Sequence, residues 1–130
     1  NMTDYQRSLT ASNILYLLTM REIDKSGEGM RCTRIANMLN LSKPSVHSMM
    51  NVFTEMGLIS RGAAGVAFFT EHGRETAARI ERYYNVVSRI LCRDFPGISD
   101  IKGASCALIS GMENESLDSL CKRESKNMIN

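Results

Sequence analysis

The 130-residue chain holds two histidines, His47 and His72, and its four cysteines (Cys32, Cys92, Cys106 and Cys121) form no C-x-x-C pair. That scarcity excludes a zinc knuckle and a dithiol redox centre, and it leaves little material for Ser/His or Cys/His catalysis. Glycine-rich phosphate loops are also missing, because Gly27 and Gly29 fall between helices and Gly62 and Gly65 between strands. An enzyme is therefore not expected. No apolar run approaches the roughly 18 to 20 residues that span a bilayer, and the opening NMTDYQRSLT lacks the basic and apolar regions of a signal peptide. These absences predict a cytoplasmic protein with no membrane partner. The net charge of +2 is too small to argue nucleic-acid binding by itself. Its distribution says more: from Arg31 to Arg74 the bases Arg31, Arg34, Lys43, Arg61 and Arg74 face only the acids Glu55 and Glu71.

What is present is concentrated between Arg31 and Thr70, RCTRIANMLNLSKPSVHSMMNVFTEMGLISRGAAGVAFFT. Ile35, Ala36, Met38 and Leu39 are spaced for one face of a short helix. Asn40-Leu41 supplies a turn, Ser42 a hydroxyl cap, and Pro44 fits the first turn of a second helix starting at Lys43. In that helix Val46, Met49, Met50, Phe53 and Met56 recur at three- and four-residue steps and are predicted to face the core, while Lys43, Ser45, His47, Ser48 and Asn51 point elsewhere. The outward set is small, polar and free of acids, which suits close approach to phosphates and base edges. Gly57 ends the helix. Leu58-Ile59-Ser60 and Val66-Ala67-Phe68-Phe69 read as strands joined by the Arg61–Gly65 loop, with Arg61 at a wing tip.

On either side the pattern is helical. Leu9, Ile14, Leu15, Leu17 and Leu18 predict a first helix from Asp4 to Ile23, stopped by the glycines of Asp24–Gly29. Thr70 can cap a long helix to about Arg93, with Ala77, Ile80, Tyr84, Val87 and Leu91 as one stripe and Tyr83, Val86 and Ile90 beside it. Pro96-Gly97 breaks the chain, and two shorter helices are expected over Ser99–Ser110 and Glu113–Met128, with Ile109, Leu108 and Leu117 available for packing. The fold class is thus mainly α: a winged helix-turn-helix of three helices and a two-stranded wing over 1–72, then a helical dimerisation domain over 73–130. The wide apolar arm is read as a dimer interface, because a reader of a palindromic site needs a two-fold partner.

This order of elements resembles the iron- and manganese-dependent repressors related to the diphtheria toxin repressor and the manganese transport regulator. The likeness covers nearly the whole chain and is most specific at Ile35-Ala36, at Leu41–Val46, at Gly57-Leu58-Ile59 and at Thr70–Arg74. It implies a homodimeric repressor on palindromic promoter DNA, with Ser42, Pro44, Ser45 and Ser48 at DNA-contacting positions. It also implies Fe²⁺ or Mn²⁺ as cofactor. Here the sequence departs from the family: the ligand positions fall on Thr10, Asn13, Tyr84, Ile109 and Ser110, a nearby acid falls on Ser88, and only Cys106 matches a ligand. Such side chains are poor donors for these ions, unless a register slip brings in Glu113 or Glu115.

The resulting expectation is a transcriptional regulator that binds double-stranded promoter DNA through Ser42, Lys43, Pro44, Ser45, His47, Ser48, Asn51 and Arg61. Two rivals share the architecture. One is a winged-helix scaffold for protein assembly; the other is a regulator with a small-molecule pocket near Tyr83, Tyr84 and Cys106.

Overall fold

A computed structural model describes residues 8–129. Its elements run α1 (Ala11–Ile23), β1 (Met30–Arg31), α2 (Cys32–Leu39), α3 (Lys43–Glu55), β2 (Ile59–Arg61), β3 (Val66–Phe69), α4 (Glu71–Asp94), α5 (Ile101–Ser110) and α6 (Asn114–Ile129). The mainly helical class and the order helix, helix-turn-helix, wing, long helix, two shorter helices are as the sequence led one to expect. Two compact units form: Tyr16–Ala78, and Ser8–Leu15 together with the chain from Arg79 onward. Among the described residues no helix is long and apolar enough to cross a membrane.

The first helix is shorter at its start than its apolar pattern implied. Residues 4–7 of the expected span lie outside the described residues, and Ser8, Leu9 and Thr10 are not helical. Thr10 instead caps the helix: its Oγ1 accepts from the Asn13 N–H at 3.0 Å, and the Asn13 Oδ1 accepts from the Thr10 N–H at 3.1 Å. This reciprocal capping box satisfies two helix-end donors and fixes the start at Ala11. The two short helices near the C-terminus also begin one or two residues late. Asp100 Oδ1 accepts from the Gly103 N–H at 2.9 Å and so sets the first turn of α5 at Ile101.

The wing carries a third strand that the pattern did not reveal. β1 pairs with β3 (Met30 opposite Ala67, Arg31 opposite Val66), giving the antiparallel order β1-β3-β2, with β2 in register Ile59–Phe69, Ser60–Phe68 and Arg61–Ala67. Two residues are too few to show a period of two. What delivers them is Gly29, at φ +97°, whose missing side chain leaves room for Phe68 and Val66.

The helix-turn-helix unit is built on Tyr16, Leu17, Met20, Met30, Ile35, Val46, Met50, Phe53 and Leu58, all buried. Each such side chain contributes about 1.5–3 kcal/mol of transfer free energy, so together they outweigh any single polar contact in the unit. Tyr16 meets Phe53 edge-to-face, with ring centroids 6.1 Å apart, and so pins α3 through its inner face. Of the expected inward set, Met49 and Met56 are only half-buried. In α2, Cys32, Ile35 and Ala36 go inward whereas Met38 is exposed. An eight-residue helix has room for one narrow stripe, and Met38 lies off it.

In the second unit Ile80, Tyr83, Val86 and Val87 of α4 are buried, as are Cys106 and Ile109 of α5 and Leu117 of α6. Ile80 and Val87 keep the expected stripe of α4 inward, with Tyr83 and Val86 buried beside it. Tyr83 is fully buried and Tyr84 and Leu91 are half-buried, while Leu108 of α5 is exposed. The Tyr83 hydroxyl donates to Asp118 Oδ1 at 2.7 Å, which satisfies its one polar atom and lets the ring go inward. Glu124, almost wholly buried, is held by Arg93 at 3.0 Å and by Asn127 at 3.3 Å.

Candidate nucleic-acid interface

The turn between α2 and α3 is tight because Asn40 adopts the left-handed conformation (φ 55°, ψ 47°). The Leu41 N–H then returns to the Ala36 carbonyl at 2.9 Å, closing the helix end and reversing the chain within two residues. Ser42 follows as the cap, accepting from the Ser45 N–H at 3.3 Å, and its hydroxyl donates to Ser45 Oγ at 2.9 Å. Pro44 sits in the first turn, where its missing N–H costs nothing. Helix α3 is therefore started by local chemistry and oriented by Val46, Met50 and Phe53.

Its opposite face carries Lys43, Ser45, His47, Ser48 and Asn51, every one of them exposed, together with Ser42 and Pro44 at its start. The structure thus brings six of the eight expected site residues onto one helix and a seventh, Ser42, to its cap. The eighth, Arg61, stands elsewhere than expected. It is the last residue of β2, paired with Ala67, and the hairpin tip is Gly62–Gly65, with Ala64 at φ 58°. From that base its guanidinium turns toward α3: Nη1 donates to Asn51 Oδ1 at 3.3 Å, and Nη2 lies 3.2 Å from His47 Nδ1. Strand and helix are joined by side chains 10 and 14 positions apart, a link that no local spacing rule signals.

Thr70 secures the far end of the same helix. Its hydroxyl donates to the Gly57 carbonyl at 2.6 Å and accepts from the Gly73 N–H at 3.0 Å. Gly57, at φ +75°, lets the Leu58 N–H close back on the Phe53 carbonyl at 2.9 Å. One hydroxyl thus ties the end of α3 to the start of α4, and a side chain at Gly73 would run into the Leu58 carbonyl.

Residues 20–63, about a third of the chain, match the IclR helix-turn-helix domain. The solved structures that share the fold span nearly the whole chain. The manganese regulator SloR aligns with a TM-score of 0.74 at 18% identity, over 92% of this chain and 55% of that one. T. acidophilum IdeR aligns at 0.67 with 21% identity, over 92% and 55%. A hypothetical protein from Sulfolobus solfataricus aligns at 0.62 with 25% identity, over 91% of each chain. The chain spans about half the length of the two regulators. No curated protein sequence matches it significantly.

At the ligand positions that the resemblance implies, the side chains and their surroundings do not fit Fe²⁺ or Mn²⁺. Thr10 and Asn13 hold each other's backbone N–H groups in the α1 cap. Ser110 donates to the Ala107 carbonyl at 2.8 Å, Ser88 leans on the Asn85 carbonyl at 3.5 Å, and Ile109 is a buried hydrocarbon. Burial pushes the Tyr84 phenol up, and Cys106, Cys92 and Asp100 nearby push it the same way. Burial also raises the Cys106 thiol, with Lys102 opposing and Asp100 adding to the shift. A phenol is a poor donor for these ions, and Cys106 offers one thiol where they select carboxylate and imidazole. Glu113 and Glu115 are exposed where α6 begins, and among the described residues no three of His, Cys, Asp or Glu are grouped to hold an ion.

Proposed function

We propose that the chain is a DNA-binding transcriptional regulator, a repressor by its likeness in fold, that engages a palindromic promoter element as a homodimer. The observation that carries this reading is the exposed, acid-free polar face of α3, from Ser42 to Asn51, set on a helix-turn-helix by a buried opposite face. A face of that composition can follow a phosphate backbone and approach base edges at once. Ser42, Ser45 and Ser48 would position the helix, with Lys43 supplying a salt-dependent phosphate contact. His47 and Asn51 would reach base edges. The regulator works without Fe²⁺ or Mn²⁺, because the positions that would hold them are spent on capping, packing and back-bonding.

Selection of bound fragments from a random DNA pool at physiological salt tests this, run with chelator and, in parallel, with Fe²⁺ or Mn²⁺ under anaerobic conditions. A palindrome enriched equally in both arms is expected. Enrichment only with metal would refute metal independence, and no enrichment in either arm would refute DNA binding.

A further inference from the structure

On the reading that α3 enters the major groove, we infer that Arg61 is a specificity-determining residue: it sets the hydrogen-bonding faces of His47 and Asn51 so that the pair selects guanine.

The argument rests on what a guanidinium can do. Arginine carries five N–H donors and no acceptor, so any side-chain polar atom within bonding distance of it must accept. Nη2 of Arg61 lies 3.2 Å from His47 Nδ1, which places the lone pair on Nδ1 and the ring proton on Nε2. Nη1 donates to Asn51 Oδ1 at 3.3 Å, which fixes the amide with its oxygen toward Arg61 and leaves the NH₂ free to face outward. His47 and Asn51 are one helical turn apart on the exposed face, so two donors are presented side by side.

The base edges differ in how they answer such a pair. Guanine offers two acceptors, N7 and O6, in the major groove. Adenine offers one acceptor and one donor, and an asparagine reads it by accepting from N6 while donating to N7. That second mode needs the Asn51 oxygen, which here is turned to a cation. An incoming adenine amino group would meet the guanidinium N–H groups donor to donor. Cytosine offers only a donor at its edge, so it is rejected for the same reason, and thymine offers one acceptor, O4, beside a methyl group, which answers only one of the two donors. The charge of Arg61 adds to the preference for an acceptor-only edge. Arg61 acts through the two readers rather than on the base, which makes it a positioning residue held at the end of β2 by its pairing with Ala67.

Two measurements test this on the full chain. In the free protein, long-range ¹H–¹⁵N correlation of the His47 ring reads the tautomer without any DNA. The Nε2–H form is expected in the wild type, with a shift toward mixed tautomers in Arg61→Ala. Selection from a random DNA pool then compares wild type, Arg61→Ala, Arg61→Lys and Lys43→Ala. The wild type is expected to hold one guanine per half-site at about tenfold over adenine. Both Arg61 variants should lose that preference at this position and keep the rest of the motif, while Lys43→Ala should weaken binding evenly with the motif intact. Arg61→Lys keeps the charge but not the fork, so a preserved guanine in that variant, or in Arg61→Ala, overturns the inference. A wild-type motif without guanine, or a His47 ring in the Nδ1–H form, overturns it as well. Absence of any enriched motif refutes the DNA-binding reading itself and the inference with it, a result distinct from a motif of the wrong composition.

Discussion

Replacing Thr70 by alanine removes one hydroxyl that serves two elements, and the cost can be worked from its two bonds. As the cap of α4 it accepts from the Gly73 N–H at 3.0 Å, a role worth about 1 kcal/mol when lost to alanine. As a donor it satisfies the Gly57 carbonyl at 2.6 Å, where the net worth of a neutral hydrogen bond is again about 1 kcal/mol. Thr70 is half-buried, so water can replace part of what is lost, and the expected total is about 1–2 kcal/mol. Thr70→Ser keeps the oxygen and both bonds and should lose no more than about 0.5 kcal/mol. The chain has no tryptophan, so urea unfolding followed by circular dichroism is the suitable assay. With a urea slope of about 2 kcal/mol per molar, Thr70→Ala should lower the midpoint by about 0.5–1 M. An unchanged midpoint, or a serine variant that falls as far as the alanine variant, would refute the claim that this hydroxyl couples the end of α3 to the start of α4.

Gly73→Ala should cost at least about 2 kcal/mol in the same titration, because its methyl would meet the Leu58 backbone carbonyl rather than a side chain able to move; a wild-type midpoint would contradict that packing. Burial and the hydrogen bond to Asp118 push the Tyr83 phenol up to about 12 from an ordinary value of 10.0. The folded state therefore favours the neutral ring: the contribution is whole below pH 10 and is lost as pH rises through about 12, at no more than about 1.4 kcal/mol per pH unit. Tyr83→Phe should remove that alkaline slope, read from urea midpoints between pH 9 and 12. At the acid end, the hydrogen bond from Arg93 is the main cause that holds the Glu124 carboxyl below its usual range, so its contribution is present above that range and lost as pH falls. Arg93→Gln should move the acid-unfolding midpoint to higher pH, and an unshifted midpoint would deny the pair a role in the fold.

Parts of this architecture are legible because the chemistry that fixes them is local. Ser42 and Pro44 start α3, Gly57 ends it, Thr70 starts α4, and Pro96-Gly97 separates α4 from α5. Each acts within three or four residues of itself, so spacing alone reveals it. The exposed polar face of α3 was visible for the same reason, since Val46, Met50 and Phe53 recur with the helical period and leave Lys43, Ser45, His47, Ser48 and Asn51 on the other side.

What the sequence could not decide is what depends on partners distant along the chain. The strand at Met30–Arg31 exists because β3 offers it an edge and Gly29 offers it room, and two residues carry no pattern of their own. Tyr83 rather than Tyr84 fills the core because Asp118, 35 residues away, takes its hydroxyl. Arg61 looks from its place beside two glycines like a wing-tip residue, yet the pairing with Ala67 fixes it at the base of the hairpin and turns it to Asn51 and His47. The eight candidate site residues, Ser42 to Asn51 and Arg61, are exposed as the sequence pattern led one to expect. Their donors and acceptors are assigned only when the fold brings β2 beside α3, because a hydrogen bond is set by distance in space and not by spacing along the chain.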